Sequence, residues 1–334
     1  MREAAFLKRN KDKWQRFEDL LKDHNSNPDQ LADLFIQITD DLSYSRTNYA
    51  ESKTTVYLNQ LALKVHQAIY KNKKEEKGRV LKFWKYELPG LMSSVHKQLF
   101  YSFSIFALAM LVGAVSTAHD DTFVRLILGD NYVNMTLDNI EKGDPMAVYK
   151  NMNQSDMFFG ITFNNVRVSF MAFIYGLMFS VGTGLLLMYN GIMLGAFQYF
   201  FYQKGLLMTS VLTIWIHGTL EISAIIIAGC AGLVMGNSIL FPGTFPRIES
   251  FKTGAKKGLK IIVGLIPIFI VAGFLESFVT RLTEMHWGIK LFIILTSAFF
   301  IIYYFIIYPI KLKRRDGDQN NDQLSQDQGF RGEN

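Results

Sequence analysis

The chain has 334 residues, of which 49% are hydrophobic and 14% aromatic, and the apolar residues are gathered into long runs. This distribution is typical of a membrane protein. The formal net charge of +6 comes from basic residues that lie beside these runs, so membrane anchoring explains it more simply than nucleic-acid binding does. The single cysteine, Cys230, excludes a scaffold of intrachain disulfides.

Residues 1–97 are predicted to form a helical cytoplasmic segment. The first thirty residues lack the apolar stretch that a signal peptide needs, so we expect this segment to stay in the cytoplasm. Apolar residues recur at helical spacing in "KWQRFEDLLKD", and two further helices are predicted to begin at "NPDQLADLF" and "SKTTVYLNQLALK". The mixed aromatic and basic stretch "RVLKFWKYELPGLMSSVHK" predicts an interfacial elbow on the inner leaflet.

Residues 98–310 are predicted to form the membrane domain. Five apolar runs approach or reach the ~20 residues that cross a hydrocarbon core about 30 Å thick, and a sixth run, "NGIMLGAFQYFFYQKG", is shorter. The predicted spans are 98–117, 168–189, 191–203 (short or re-entrant), 206–235, 260–280 and 289–309. We expect residues 118–166 to form an outer loop and residues 311–334 to form a disordered cytoplasmic tail.

The charges of the loops predict their sides of the membrane. The stretch 117–165 carries seven acidic and three basic side chains, whereas "PRIESFKTGAKKGLK" and "KLKRR" are basic. By the positive-inside rule the acidic loop lies outside, and both basic segments lie inside with the two termini.

This orientation requires an even number of crossings between the second span, which would end near Tyr189, and the basic segment that begins near Arg247. The short run is therefore predicted to pair with span 206–235, with a tight turn at Asn190 and Gly191 and irregular helices.

An ionisable pair lies deep in one span. His217 and Glu221, in "WIHGTLEISAIIIAG", are four residues apart and share one helix face, with His217 roughly 17 Å from the outer end. Such a pair must be hydrogen-bonded, paired or hydrated, which leaves open a proton or ion relay, a metal site, a catalytic pair or an interhelical clamp. A zinc protease is disfavoured, because it needs a second histidine at the right spacing and a third ligand, and the other histidines lie in the N-terminal segment or near span ends. No metal or other cofactor is expected.

Glu276 is the other acid embedded in an apolar run, "VAGFLESFV". Three alternatives remain for it: a carboxylate pair with Glu221, an ion pair with Arg167, or contact with the outer interface. Arg167 and the preceding Asn165 are predicted to lie at the outer mouth of the second span, where Arg167 also fits an ordinary interfacial anchor.

The glycines predict close helix packing. Gly191 with Gly195 and Gly232 with Gly236 form small-xxx-small patterns. Gly218, next to His217, is predicted to mark a local break in its helix.

In order, the blocks "NNVRVSF", "GTGLLLMYNGIMLGAF", "HGTLEISAIIIAGCAGLVMG", "FPG" and "AGFLESFVT" resemble the membrane domain of the stage II sporulation protein M family, over about residues 95–310. The residues on which the family's blocks centre correspond here to Asn165, Arg167, Asn190, Gly191, His217, Gly218, Glu221 and Glu276. Where many members carry proline before the histidine, this chain has Ile216.

The resemblance implies an all-α, polytopic membrane protein in the bacterial inner membrane. The family's named member resembles a scaffold that gathers cell-wall hydrolases, so the first hypothesis is a scaffold for envelope machinery, with the lipid bilayer and other envelope proteins as partners. The small-residue faces fit contacts within one chain and in a homo-oligomer equally well. The alternative is a transporter or channel with a midplane site at His217, Glu221 and Glu276. An intramembrane enzyme is the least favoured hypothesis, because no nucleophile lies beside a base.

Overall fold

The computed structural model describes residues 2–22, 28–71, 78–150 and 153–315. The chain divides into two compact units, Met1–Arg79 and Val80–Asn334. All regular structure in the described residues is helical, which confirms the predicted all-α class.

The N-terminal unit contains three helices, α1 (Glu3–Lys22), α2 (Pro28–Asn48) and α3 (Lys53–Lys71). All three contribute apolar side chains to its core, which comprises Phe6, Trp14, Phe17, Ile38, Leu42, Leu58 and Leu61. The indole Nε1 of Trp14 donates a hydrogen bond of 2.8 Å to Oδ2 of Asp41, so the buried ring also ties α1 to α2. The unit therefore has a hydrophobic core of its own.

A short helical segment precedes the first span. It consists of α4 (Arg79–Lys82), a π-helix (Phe83–Glu87) and α5 (Leu88–Ser94). Trp84 Nε1 donates to the carbonyl of Gly264 over 3.4 Å, and the Tyr304 hydroxyl donates to the carbonyl of Trp84 over 2.5 Å. The stretch predicted as an interfacial elbow is thus attached to two membrane helices.

Six segments among the described residues are long and apolar enough to cross a membrane, as a polytopic protein requires. They are His96–His119, Gln154–Leu177, Val181–Gln203, Leu207–Leu240, Arg247–Thr280 and Trp287–Arg315. The α-helices from the first span onward are α6 (His96–His119), α7 (Phe123–Leu128), α8 (Asp130–Glu141), α9 (Gln154–Ile174), α10 (Val181–Gln203), α11 (Leu207–Leu240), α12 (Arg247–Phe274) and α13 (Trp287–Ile302). We name the end of the bundle that carries α7 and α8 the loop end.

The predicted second span, 168–189, and the predicted short span, 191–203, are both wrong. The chain crosses at Gln154–Leu177, turns at residues 178–180, and crosses again along the whole of α10. Phe179 and Ser180 make this turn with φ angles of 53° and 67°. These angles lie in the left-handed region, which residues other than glycine rarely adopt. Two full crossings, α10 and α11, then satisfy the parity that the loop charges require.

Other boundaries change with this correction. The predicted outer loop, 118–166, shortens because α9 begins at Gln154, and α11 extends past the predicted 235 to Leu240. Of the predicted tail, residues 311–315 continue the last span, and residues 316–334 lie outside the described residues.

Glycines bring α6 and α10 into contact backbone to backbone. A Cβ added to Gly195 would overlap the carbonyl oxygen of Met110, and one added to Gly191 would lie 2.6 Å from that of Phe106. The packing predicted from the Gly191 and Gly195 pattern is therefore confirmed. No turn occurs at Asn190 and Gly191, because both lie inside α10.

The loop between α6 and α9 folds onto the end of α10. Val133 and Met146 from the loop pack against Phe200 and Phe201 of α10. This small core holds the 3₁₀-helix Ala147–Lys150 at the loop end of the bundle.

Candidate functional site

Three ionisable side chains meet between the central helix α11 and the end of the fifth span. His217 and Glu221 lie one turn apart on α11, and Glu276 lies in the π-helix Leu275–Thr280 that follows α12. One nitrogen or oxygen atom from each side chain lies within 4.8 Å of the other two. His217 is 4% exposed, and the Glu276 side chain is 14% exposed. Of the three positions predicted for Glu276, the structure shows the one in which its carboxylate lies close to that of Glu221.

The hydrogen bonds at Thr280 favour one tautomer of His217. The Thr280 hydroxyl donates its one proton to the carbonyl oxygen of Leu275 over 3.1 Å. Nδ1 of His217 lies 3.0 Å from the same hydroxyl oxygen, and with the hydroxyl proton directed at Leu275 this second bond forms when Nδ1 carries the ring proton and donates it. Nε2 is then free to accept a proton or bind a cation, and it lies 3.8 Å from Oε2 of Glu276.

The π-helix explains why Glu276 and Thr280 reach the same histidine. Its turns are wider than those of an α-helix because its hydrogen bonds join residues five apart, and the Thr280 hydroxyl repeats this spacing in its bond to Leu275. Single π turns inside helices are frequent at functional sites.

A tyrosine from the loop covers the cluster. Tyr149, in the 3₁₀-helix Ala147–Lys150, has its ring centroid 5.9 Å from that of His217. Burial raises the pKa of Tyr149 well above its ordinary value, and the charge of Glu276 adds to this effect. The Tyr149 hydroxyl therefore keeps its proton at physiological pH and is available as a hydrogen-bond donor.

Two cavities contact the cluster. The larger, of about 480 Å³, is lined by His217 and Glu221, and we name it the inner cavity. The smaller, of about 340 Å³, is lined by Glu276 and by Asp156 near the start of α9, and we name it the loop cavity. Two loop tyrosines, Tyr132 and Tyr149, line both cavities.

Three asparagines also line the inner cavity: Asn164, Asn165 and Asn190. Nδ2 of Asn190 donates to the carbonyl of Leu186 over 2.8 Å. Asn165 is 5% exposed and faces Glu221, yet its Nδ2 has no hydrogen-bond partner of normal geometry within the described chain. Buried polar groups nearly always have a partner, so this amide marks a point where a ligand or water completes the site.

The structure thus brings most of the predicted residues together. Asn165, Asn190, His217, Gly218 and Glu221 line one cavity, and Glu276 contacts its histidine.

Two of the predicted residues lie away from the cluster. Arg167 is exposed on α9 and forms no ion pair with Glu276, so that alternative is wrong. Arg167 also lies well inside its span instead of at the mouth, since α9 begins at Gln154. Gly191 packs against α6.

Gly218 does not break its helix. α11 runs without interruption through this position, so the predicted break is wrong. An added Cβ would lie 3.6 Å from the side chains of Ile214 and Ile222, which is ordinary contact. The glycine instead leaves room beside His217 in the inner cavity.

Two residues of the site were missed in the sequence. Thr280 lies four residues after Glu276, and that spacing is the one local signal that could have found it. Tyr149 lies in a short 3₁₀-helix of a polar loop, and nothing in its neighbourhood along the chain indicates contact with His217.

The six spans and the buried cluster define a polytopic α-helical membrane protein with an intramembrane ionisable site. The family model described as "Stage II sporulation protein M" matches residues 102–281, more than half of the chain. The chain belongs to the stage II sporulation protein M family. Residues 4–71 match a second model, described as "Domain of unknown function (DUF8413)". Comparisons with curated proteins and with solved structures found no significant match.

Proposed function

We propose that this membrane protein takes up a cation from the loop end and passes it through the bundle by way of Glu276, His217 and Glu221. The observation that carries the proposal is that the cluster lines two cavities, His217 and Glu221 the one and Glu276 the other, and that Tyr149 lines both.

Charge balance supports a cation. Two carboxylates and one imidazole lie in a largely enclosed site, and each uncompensated charge in such a place costs several kcal/mol. Protonation of His217 would balance at most one carboxylate. The other carboxylate must then take up a proton, and so become neutral, or bind a metal ion.

The acidic side chains also suggest an order of contact. Asp156 and Glu276 line the loop cavity, and Glu221 lines the inner cavity. A cation that enters from the loop end would meet the three carboxylates in that order.

The cavity arrangement favours a carrier over an open channel. On the far side of Glu221, α11 presents fully buried residues, including Ala224, Ala228 and Ala231, that pack against neighbouring helices. Passage to the other end therefore requires a rearrangement of the helices, as in secondary carriers.

Reconstitution into liposomes tests this function. Proton, Zn²⁺ and Mn²⁺ flux would be followed for the wild type, His217→Ala and Glu221→Gln. Glu249→Gln is the matched control, because Glu249 is exposed, pairs with the nearby Lys252 and lies outside the cluster. We expect flux in the wild type and the control and loss in both site variants. No flux above empty liposomes in the wild type would refute the function.

A scaffold for envelope machinery is the second candidate, favoured by the separate core of the N-terminal unit. On this hypothesis deletion of residues 2–71 abolishes capture of envelope proteins, while the double variant His217→Ala/Glu221→Gln captures them normally. Loss of capture in the double variant alone would contradict it.

We also propose that the protein lies in the inner membrane with both termini on the cytoplasmic side. The basic residues of 247–260 and 311–315 lie at the opposite end of the spans from the acidic loop, and the positive-inside rule places such residues in the cytoplasm. Cysteines introduced by Glu141→Cys and Lys256→Cys test this with a membrane-impermeant maleimide, since the native Cys230 is buried. We expect labelling from outside only for Glu141→Cys. The reverse pattern would invert the topology.

A further inference from the structure

We propose that His217, Glu221 and Glu276 form a binding site for a divalent transition-metal ion of the Zn²⁺ and Mn²⁺ class. This proposal rests on the site of the proposed function and names its cation.

The donor set fits this class of ion. One imidazole nitrogen and two carboxylate oxygens are common ligands of Zn²⁺ and related metals, whereas Mg²⁺ and Ca²⁺ prefer oxygen alone. A divalent ion with two carboxylates also forms a neutral group, which removes most of the cost of burying the charges.

The distances permit closure around an ion. Nε2 of His217 lies 3.8 Å from Oε2 of Glu276, and all three donor atoms lie within 4.8 Å of one another. Ligand atoms in a tetrahedral zinc site are roughly 3.3 Å apart, given metal–ligand distances near 2.0–2.1 Å. Small rotations of the two carboxylates would bring the donors to this spacing.

The histidine is already oriented for a metal. A histidine that binds a metal through one nitrogen usually donates the other N–H to a fixed acceptor. Here Nδ1–H is held by Thr280, whose hydroxyl is held in turn by the carbonyl of Leu275. The lone pair of Nε2 therefore faces Glu276.

The buried amide of Asn165 is a further observation that points to a ligand. It lies more than nine-tenths buried, lines the same cavity as His217 and Glu221, and faces the Glu221 carboxylate, yet its Nδ2 makes no hydrogen bond of normal geometry in the described part of the chain. Rotation of the amide by about 180° exchanges Nδ2 and Oδ1, which would give the ion an oxygen as fourth ligand. A water molecule in the inner cavity could occupy the same position.

Metal titration of the purified full-length chain tests the proposal. The protein in detergent would be stripped with a chelator and titrated with Zn²⁺ alone and with Mn²⁺ alone, in competition with a chromogenic chelator. We expect one high-affinity Zn²⁺ per chain, with affinity at least about a hundredfold lower in His217→Ala and Glu276→Gln and unchanged in Glu249→Gln. X-ray absorption at the zinc edge should report nitrogen and oxygen ligands without sulfur.

The more conservative Glu276→Gln keeps the test decisive if His217→Ala fails to fold. Equal Zn²⁺ affinity in the wild type and Glu276→Gln, with Glu276→Gln correctly folded, would overturn the metal site. Zn²⁺ binding without flux in liposomes would leave this inference standing and remove the proposed function. Proton flux that is lost in the site variants, together with no metal binding, would support the proposed function and overturn the metal site.

Discussion

Substitution of one glycine on α10 tests the observed packing of the bundle directly. Gly195→Ala adds a Cβ that would overlap the carbonyl oxygen of Met110 and lie 2.9 Å from the backbone nitrogen of Ala114. Both obstructing atoms are backbone, so α6 and α10 must separate. Overpacking of this kind costs about 1–3 kcal/mol, against a gain of about 0.5–1 kcal/mol in helix propensity. We expect a net destabilisation of roughly 1–2 kcal/mol.

Gly184→Ala is the matched control on the same helix. A Cβ added to Gly184 meets no atom within 4 Å, so only the gain in helix propensity remains. Thermal unfolding in a single detergent should therefore shift downward for Gly195→Ala and upward, by about 0.5–1 kcal/mol in free energy, for Gly184→Ala. Shifts of the same sign and size for both variants would refute the close contact between α6 and α10.

Three further predictions follow from the site and from the N-terminal unit. Thr280→Val removes the hydrogen-bond partner of the buried His217 Nδ1 and should lower the free energy of unfolding by about 1–3 kcal/mol, as measured by thermal unfolding. Thr280→Ser keeps the hydroxyl and should stay close to the wild type. Equal losses in both variants would show that this hydrogen bond does not stabilise the fold. Gly218→Leu should fill the inner cavity and abolish cation flux in liposomes, while Gly218→Ala should keep it, because an added Cβ makes only ordinary contacts; flux through the leucine variant would show that the cavity is not on the route. Trp14→Ala should destabilise the N-terminal unit by about 3–5 kcal/mol and speed proteolysis of residues 2–71 in the full-length chain, with a smaller effect for Trp14→Phe; unchanged proteolysis would contradict a core built around this ring.

The spans show how far local information reaches. Hydrophobicity and loop charge are properties of contiguous residues, so they were sufficient to predict the membrane class, the helical fold and an even number of crossings after the second span. The position of the turn at residues 178–180 could not be predicted in the same way. Phe179 and Ser180 adopt left-handed backbone angles, and none of residues 178–180 is a glycine, asparagine or proline that would signal them.

The glycine patterns were also interpretable from sequence, but only in part. The spacing of Gly191 and Gly195 indicates a face that another helix approaches closely. The sequence does not say which helix, and the structure identifies α6 as the partner.

The candidate site, too, could be predicted only in part from the sequence. The sequence by itself determined that His217 and Glu221 share one face of a deeply apolar helix, because a spacing of four residues and the surrounding hydrophobicity are local facts. Only the tertiary structure decided that Glu276 and Thr280 complete the site, since Thr280 lies 63 residues away along the chain and reaches the histidine through a π-helix. The contact with Tyr149 likewise depends on how the loop packs on α10, and no periodicity in the sequence encodes that contact.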